Sequence, residues 1–495
     1  MGFKFVLLWT DVALYALVAA LVFYVWRIRH QPNAKANWLK VLRDPAALCA
    51  AAVLLLFVGV AVLDSVHFRR ALPHAAGTPA NAQVFYSART ESLLDLALQR
   101  QIEMREVTWS APLATHGFAK ESVQQGDKVT REYPRLQHGG AHLKDAAREA
   151  GPDIAARVVK GLLAGGALFA LLVVVAGALL ARTHGGFRQA LADLARGHTD
   201  YPLRPLMGTL LVILLLGGAV GALMNHYHVF GTDRTGNDVL YQALKSVRTA
   251  FVIGTLATLA TLPFAIILGV LAGYFKGWVD EVIQYAYTTL TSVPSVLLIA
   301  ACVLMMQVFL DKHPEMFETG AERSDVKIFL LCVILGVTGW ATLCRLVRGE
   351  TLKLRELDYV QAATAFGVSH TRIMARHILP NVMHLVLITT VLSFSDLILF
   401  EAVLTYIGVG VDPSMNSFGG MINLARSEMS RDPVVWWSFA AAFTFMVVLV
   451  LAANLFADGV RDAFDPRARV FRPRLVRRLL KTPDDKTAGE PALTK

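Results

Sequence analysis

Long apolar stretches separated by short polar segments dominate this sequence. About nine of them reach the roughly 20 residues that a helix needs to cross a bilayer, and they lie near 3–26, 46–65, 158–181, 205–225, 247–273, 283–309, 327–345, 383–410 and 434–457. Backbone polar groups inside a membrane must find partners within the protein, so these stretches are predicted to be helices. Only 17% of the 495 residues are charged, against about 25% in soluble domains. The sequence therefore predicts an all-α polytopic membrane protein.

Lys and Arg are concentrated in four of the connecting or terminal segments, namely 27–43, 182–204, 348–376 and 461–481. Short loops rich in these residues remain on the cytoplasmic side. If nine helices alternate, all four segments fall on that side, with the N-terminus outside and the C-terminus in the cytoplasm. The first apolar segment carries no cleavage-site pattern and is predicted to be a retained anchor. Topology and anionic membrane lipid account for the formal charge of +10, and no nucleic-acid partner is expected.

Hydropathy divides the chain into five regions. Residues 1–65 form an N-terminal transmembrane pair, 66–157 a mixed extracytoplasmic insert, 158–228 an additional transmembrane pair, 229–470 a helical core and 471–495 a basic cytoplasmic tail. Within the insert, 91–106 is predicted to be one amphipathic helix. The insert is either a structured cap over the helices or a docking surface for an external partner.

One polar stretch, DYVQAATAFGVSHTRIMARHILPN (358–381), lies between two apolar segments and is too polar to span a bilayer. It predicts a short helix, a break at Gly367, and a second short helix with Ser369 at its N-cap. Pro380 is expected to mark a helix boundary before the next span. A short helix that fits a groove of another protein can couple the two mechanically. The alternative is a pair of interfacial helices that rest on lipid.

This stretch resembles the cytoplasmic coupling loop of binding-protein-dependent ABC importer permeases, in which EAA is followed by a glycine and later by I-x-L-P. Gln361 stands where Glu is usual, and His377 occupies the Ile position, giving an H-I-L-P-N form similar to the dipeptide/oligopeptide branch. Further segments resemble that branch in the same order, namely GTDRTGNDVL (231–240), LAGYFKGWVDE (271–281), CRLVRGETLKLRELDYVQAA (344–363), EAVLTYIGVGV (401–411) and ADGVRDAFDPR (457–467). The stretch 44–64 resembles the first helix of such permeases, so 66–228 is expected to be an insertion after it.

The resemblance implies a type I ABC importer permease core over 229–470, with a cytoplasmic coupling loop at 346–381, in a bacterial inner membrane. It implies a second permease subunit, two ATP-binding subunits and an extracytoplasmic substrate-binding protein as partners. The sequence has no GxxxxGK[ST] phosphate loop, so ATP and Mg are expected on the partner chains and no cofactor in this one. The expected cargo is a dipeptide, an oligopeptide, a nickel complex or a peptide antibiotic. The expected coupling residues are Asp358, Gln361, Ala362, Ala363, Gly367, Ser369, Arg372, His377, Leu379 and Pro380.

Two carboxylates, Asp396 and Glu401, lie within the apolar span after this loop. Carboxylates in membrane segments usually face the bundle interior or water, so both are candidates for the translocation path, and a structural hydrogen bond is the alternative. Asp11 is expected to be hydrated near the outer end of the first helix. Asp412, Pro413, Phe418 and Gly419 are candidates for an outer gate, the alternative being a simple turn.

No motif indicates catalysis or metal binding by this chain, and it is not expected to be an enzyme. Two other functions remain open from the sequence. One is a membrane-anchored enzyme or receptor that acts through residues 66–157. The other is an ion-coupled secondary transporter, which would be expected to show inverted repeats.

Overall fold

The fold is described by a computed structural model over residues 3–30, 32–72, 85–87, 89–125, 128–182, 186–317 and 319–464. The tail predicted at 471–495 lies outside the described residues. The helices are α1 (Trp9–Arg29), α2 (Pro32–Arg43), α3 (Pro45–Asp64), α4 (Leu93–Ala97), α5 (Gln99–Glu103), α6 (Ala146–Ala181), α7 (Phe187–Arg196), α8 (Leu203–Leu223), α9 (Val239–Phe275), α10 (Gly277–Ser292), α11 (Ser295–Lys312), α12 (Gly320–Gly339), α13 (Ala341–Arg355), α14 (Asp358–Ala365), α15 (His370–Ile373), α16 (Leu379–Tyr406), α17 (Phe418–Glu428) and α18 (Trp437–Phe464). The strands are β1 (Phe3–Val6), β2 (His67–Arg70), β3 (Glu91–Ser92), β4 (Glu121–Gln125) and β5 (Lys128–Glu132).

Eight helices of the described chain are long and apolar enough to cross a membrane, namely α1, α3, α6, α8, α9, α11, the helix that continues from α15 through α16, and α18. Helices α12 and α13, with a bend of 43° between them, bring the number to nine if the bent pair is counted as one span. The predicted all-α polytopic fold with about nine transmembrane helices is confirmed.

Two of the predicted boundaries are wrong. The span expected at 283–309 is divided, because α10 ends at Ser292 and α11 begins at Ser295. Val293 between them is extended (φ −89°, ψ 134°), as the steric demands of the following Pro294 favour. The apolar run that begins at residue 3 is also divided, since β1 pairs antiparallel with β2 before α1 starts.

The single helix predicted at 91–106 is wrong as well. The segment contains the short β3 and two short helices, α4 and α5, which meet at Leu98. Ser92 and Asp95 form a capping box at the start of α4. Helical structure ends at Glu103, and Glu106 then donates its backbone N–H to the carbonyl of Gly236. The tertiary contact with the core thus replaces the last helical turn.

Helix α9 lies at the centre of the core and packs against α12, α13 and α16. Glycines allow the close approach: a Cβ added to Gly269 would lie 2.8 Å from Val347, and one added to Gly273 would lie 2.6 Å from Thr351, both on α13. Gly336 of α12 makes the same kind of contact with Ala260 of α9. These small residues therefore support close helix packing, as expected for membrane helices.

Helices α6 and α8 form a hairpin around α7. A Cβ at Gly161 of α6 would lie 2.3 Å from the carbonyl oxygen of Gly218 on α8, and one at Gly165 would lie 2.2 Å from that of Leu214. The backbones are therefore in direct contact. Helix α6 begins at Ala146, so the additional pair predicted to start at 158 extends into the region assigned to the insert.

The bundle has two distinct ends. Helix α9 begins at Val239, beside the described part of the insert, and ends at Phe275, whose ring centroid lies 5.8 Å from that of His370. We call these the insert end and the α14 end. Trp38 of the basic segment around α2 packs on Phe464 and belongs to the same small cluster as Leu387 of α16, so that segment also lies at the α14 end.

Candidate functional site

The α14 segment projects from its end of the bundle as a short capped helix. Gly367 follows the C-cap with φ +74° and donates its N–H to Thr364, while Val368 donates to Ala363. This pair of hydrogen bonds is a Schellman motif, which requires the left-handed conformation that glycine adopts easily. The break predicted at Gly367 is therefore present.

One face of α14 is anchored and the opposite face is open. Val360 is 1% exposed and Ala363 is half-buried in the cluster formed with α9 and α13. Asp358, Gln361 and Ala362 are exposed, and the Gln361 side chain donates to the carbonyl of Glu356 (3.2 Å). Only Ala362 of the expected alanine pair is thus available to another protein.

Phe366 is the strongest surface feature that sequence reasoning missed. Its side chain is 87% exposed at the tip of the segment, directly before Gly367. An aromatic residue exposed to this extent is unfavourable in water and is typical of contact sites. Its position just before the helix-ending glycine, in a segment expected to be polar surface, was the available signal.

The second arm differs from the sequence prediction. Ser369 is at the N-cap, although its side chain makes no capping hydrogen bond. Helix α15 then passes through a π-helical turn, Met374–Ile378, directly into α16. The boundary expected at Pro380 is therefore wrong. The wider turn precedes the proline, which lacks an N–H and would clash with the carbonyl four residues earlier in a regular helix.

The remaining residues expected in the second arm have mixed environments. Arg372 and Pro380 are exposed, whereas His377 and Leu379 are half-buried. Ile373 and Ile378 are completely buried in the core, and the Tyr274 hydroxyl of α9 lies 2.7 Å from His370 Nδ1. The arm is thus packed on α9 and continuous with the spanning helix α16.

The two candidate path carboxylates have opposite environments. Glu401 is 1% exposed and accepts a hydrogen bond from the Thr405 hydroxyl at 2.7 Å. Asp396 is exposed and lines a cavity of about 220 Å³ between α9, α12, α13 and α16. The structure therefore does not bring both to one open surface.

The candidate gate residues also separate into two groups. Phe418 is 1% exposed, and Gly419 packs so closely on Ala402 that an added Cβ would lie 2.9 Å from its Cα. Both hold α17 against α16. Asp412 instead pairs with Lys327 of α12 at 2.6 Å, while Pro413 is exposed. Burial alone would raise the pKa of Asp412, but the bond from Lys327 and those from Ser414 outweigh it and lower the pKa.

The Lys327–Asp412 pair lies where two cavities meet at the insert end. Both residues line a cavity of about 670 Å³ beside α1 and α9 and another of about 660 Å³ beside α11 and α17. Ser324 and Ser414 hydroxyls lie 3.0 Å apart next to this pair. The loop after α16 is thus held to α12 by two contacts.

A buried ion cluster fixes α1 to the core. Asp11 is 0% exposed, 2.6 Å from Arg248 Nη2 and 2.7 Å from His67 Nδ1. The expectation that Asp11 is hydrated is therefore wrong. Arg248 also lies 3.7 Å from Asp325 of α12. Arg248 lies inside a predicted span, where a cation needs negatively charged partners. The sequence could not show which carboxylates these partners are.

Among the described residues, no group of three or more His, Cys, Asp or Glu side chains is placed to hold a metal ion.

Residues 265–470 match the family described as binding-protein-dependent transport system inner membrane component. The oligopeptide transport system permease protein OppC of Mycobacterium tuberculosis is 32% identical over 245 residues, which are 50% of this chain and 78% of that protein. The glutathione transport system permease protein GsiD of Pectobacterium atrosepticum is 32% identical over 244 residues, covering 49% and 73%. A solved structure of the MetNI methionine ABC transporter aligns with 46% of this chain and 96% of its own, at 16% identity and a TM-score of 0.34.

Proposed function

Because this chain belongs to the family of binding-protein-dependent transport system inner membrane components, we propose that it is the transmembrane permease subunit of an ATP-driven importer of peptides. The relatives named for oligopeptides and glutathione support peptides as the substrate class. The observation that carries the proposal is the capped α14 with its exposed Phe366, followed after the break at Gly367 by one helix that continues into the membrane span.

The expected partners are a second permease subunit, two ATP-binding subunits and an extracytoplasmic binding protein. ATP and Mg belong to the ATP-binding subunits. The membrane is a bacterial inner membrane, with the α14 end in the cytoplasm, the insert end outside, and the C-terminus in the cytoplasm. Arg348 fixes α13, the helix that precedes α14, to α10 by two hydrogen bonds to Asp280 (2.6 and 2.7 Å).

In the proposed mechanism, α14 and Phe366 occupy a cleft of an ATP-binding subunit. Closure of the two ATP-binding subunits displaces α14, and the buried Ile373 and Ile378 carry that displacement into α9 and α16. The Lys327–Asp412 contact opens and closes at the other end. Each state is favoured by one partner, the binding protein or ATP, because a partner shifts the equilibrium by its differential affinity.

The experiment is affinity purification of the tagged chain from its native host, followed by mass spectrometry of the proteins that accompany it. The variants are Ala362→Asp and Phe366→Asp, which place a charge on the exposed face. Ala195→Asp is the matched control, since Ala195 is exposed on α7. We expect the ATP-binding subunits with the wild type and the control, and a loss of about thirtyfold or more with the other two, as for a central interface position (about 2 kcal/mol or more).

If Ala362→Asp and Phe366→Asp recover as much of the ATP-binding subunits as the wild type does, the docking assignment alone is refuted. Recovery of the wild-type chain without any ATP-binding subunit, from membranes in which it is active, would refute the proposed function.

A further inference from the structure

The cavity that contains Asp396 lies among spanning helices, away from α14 and from the Lys327–Asp412 pair. It has a volume of about 220 Å³, and its lining combines this carboxylate with the hydroxyls of Ser393 and of threonines on α9, α13 and α16. A liquid water molecule occupies about 30 Å³, so the space admits a small polar group with a short stretch of chain.

Four threonine hydroxyls of this lining, two on α9 and two on α16, have already used their protons, whereas those of Thr342 and Ser393 make no bond of this kind to the described residues. Thr258 and Thr261 donate to the carbonyls of Gly254 (2.6 Å) and Ala257 (2.9 Å). On α16, Thr389 donates to Leu385 (2.9 Å) and Thr390 to Val386 (2.7 Å). A hydroxyl that donates to its own helix retains oxygen lone pairs and no free donor. These four groups therefore offer the cavity acceptors only.

Asp396 adds a negatively charged group that also accepts hydrogen bonds. Within the described part of the chain, its carboxylate has no hydrogen bond or ion pair, although it lies in a spanning helix. An ionised carboxylate only accepts hydrogen bonds, and one inside a membrane normally has a partner. The carboxylate and the four hydroxyl oxygens together favour a ligand that is cationic and rich in donors.

We propose that this cavity binds a primary ammonium group, the free amino terminus of a peptide in transit, with Asp396 as its counter-ion. The inference rests on the proposed function and defines a substrate subsite for it. An ammonium group has three donors, which suit one carboxylate and two hydroxyl oxygens. The neutral hydroxyls with a single carboxylate are a poor set for a divalent metal ion, which prefers more oxygen ligands with charge.

The test compares uptake of trialanine and N-acetyltrialanine by cells that carry the complete transporter. The variants are Asp396→Asn, Asp396→Glu and the double change Thr389→Val with Thr390→Val. Thr209→Val is the matched control, because Thr209 makes the same bond to the carbonyl of Pro205 on α8, away from this cavity. Since the binding protein and ATP-binding subunits are unchanged, the ratio of the two uptake rates isolates the permease.

We expect Asp396→Asn to lower the ratio of trialanine to N-acetyltrialanine uptake by about tenfold or more, as for loss of a charge-assisted hydrogen bond. Asp396→Glu retains most of the preference, the threonine double change lowers it less than Asp396→Asn, and Thr209→Val matches the wild type. An unchanged ratio, or an equal fall for both peptides, overturns the subsite. A requirement for sodium in place of the amino group overturns it as well.

If the wild type takes up neither peptide, the peptide function is refuted rather than the subsite. Saturation-transfer NMR on the purified complex then decides about the cavity. A signal from trialanine that Asp396→Asn removes and Thr209→Val keeps supports an ammonium site, and equal signals from all three proteins overturn it.

Discussion

At residue 228, a buried histidine joins the insert to the core. Its Nδ1 lies 2.8 Å from Asp238, the N-cap of α9, and its Nε2 lies 3.5 Å from Glu106 of the insert. Burial alone would lower the pKa of His228, but the bond to Asp238 and the nearby Glu106 outweigh it and raise the pKa to about 9. Burial would raise the pKa of Glu106, whereas His228 and three backbone N–H donors lower it to about 2.

These shifts predict how stability depends on pH. The contribution of His228 is complete below its ordinary pKa of 6.5 and is lost as the pH rises through about 9. That of Glu106 is complete above its ordinary pKa of 4.5 and is lost as the pH falls through about 2. His228→Ala leaves two buried carboxylates without their cation and is expected to cost about 3–5 kcal/mol at pH 6.

Thermal denaturation of the purified protein between pH 6 and pH 10 checks this prediction. The melting temperature of the wild type decreases as the pH rises from 6.5 to 9. His228→Ala has a lower melting temperature, which depends less on pH. His116→Ala, at an exposed position of the insert, is the control and keeps the wild-type profile. A wild-type profile for His228→Ala would contradict the assignment.

Single residues also show what the sequence could and could not predict. The break at Gly367 was predictable, because a glycine after a short helix favours the left-handed turn. The pairing of Asp11 with Arg248 was not, since these residues lie on α1 and α9 and meet only after the helices pack. The functional role of the expected coupling, path and gate residues stays a prediction.

Among the elements, the α6–α8 hairpin depends on glycine at its contact. We predict that Gly161→Val separates the two helices, because its side chain would overlap the backbone of Gly218. Overpacking of this kind costs roughly 1–3 kcal/mol. Gly166→Val, on the same helix with nothing within 4 Å of an added Cβ, is the matched control.

Limited proteolysis of the segment between α6 and α8, with the thermal midpoint as a second measurement, distinguishes the two variants. Gly161→Val is cleaved faster and unfolds at a lower temperature, and Gly166→Val behaves as the wild type. Equal behaviour of both variants would mean that the contact does not hold the hairpin.

Hydropathy predicted the spanning elements because the membrane requires continuous apolar helices. It could not show interruptions that leave hydropathy unchanged. The separation of α10 from α11 at Pro294 and the π-helical turn before Pro380 are both of this kind. Helices α4 and α5 were predicted as one because Leu94, Leu98 and Ile102 recur at the spacing of one helix face, whereas the backbone pairing of Glu106 with Gly236 is a tertiary effect.

In the whole molecule, the insert is joined by hydrogen bonds and close contacts to the first residues of the core predicted at 229–470. Thr232 donates its N–H to the Ser110 carbonyl, and a Cβ on Gly236 would lie 1.9 Å from the Glu106 carbonyl oxygen. Two residues of the GTDRTGNDVL segment thus contact the insert directly. The insert is therefore expected to move with the start of α9, whereas the loop after α16 is expected to move relative to α12.

Two disulfides test this difference in motion. Ser324→Cys with Ser414→Cys joins α12 to the loop after α16, where the hydroxyls are 3.0 Å apart. Ser110→Cys with Thr232→Cys joins the insert to the core, where they are 3.1 Å apart. If the Lys327–Asp412 contact opens during alternating access, oxidation of the first pair blocks uptake and reduction restores it. Oxidation of the second pair leaves uptake unchanged, because it links parts that move together.

Peptide uptake by cells before and after oxidation, with each single-cysteine variant as a control, measures both effects. Full uptake with the first disulfide formed would show that the loop after α16 stays on α12 throughout transport, and opening would then have to occur elsewhere. Loss of uptake with the second disulfide would show that the insert moves against α9. In that case the insert would be a mobile part of the transport cycle, and the bonds at Gly236 and Thr232 would have to break in each turnover.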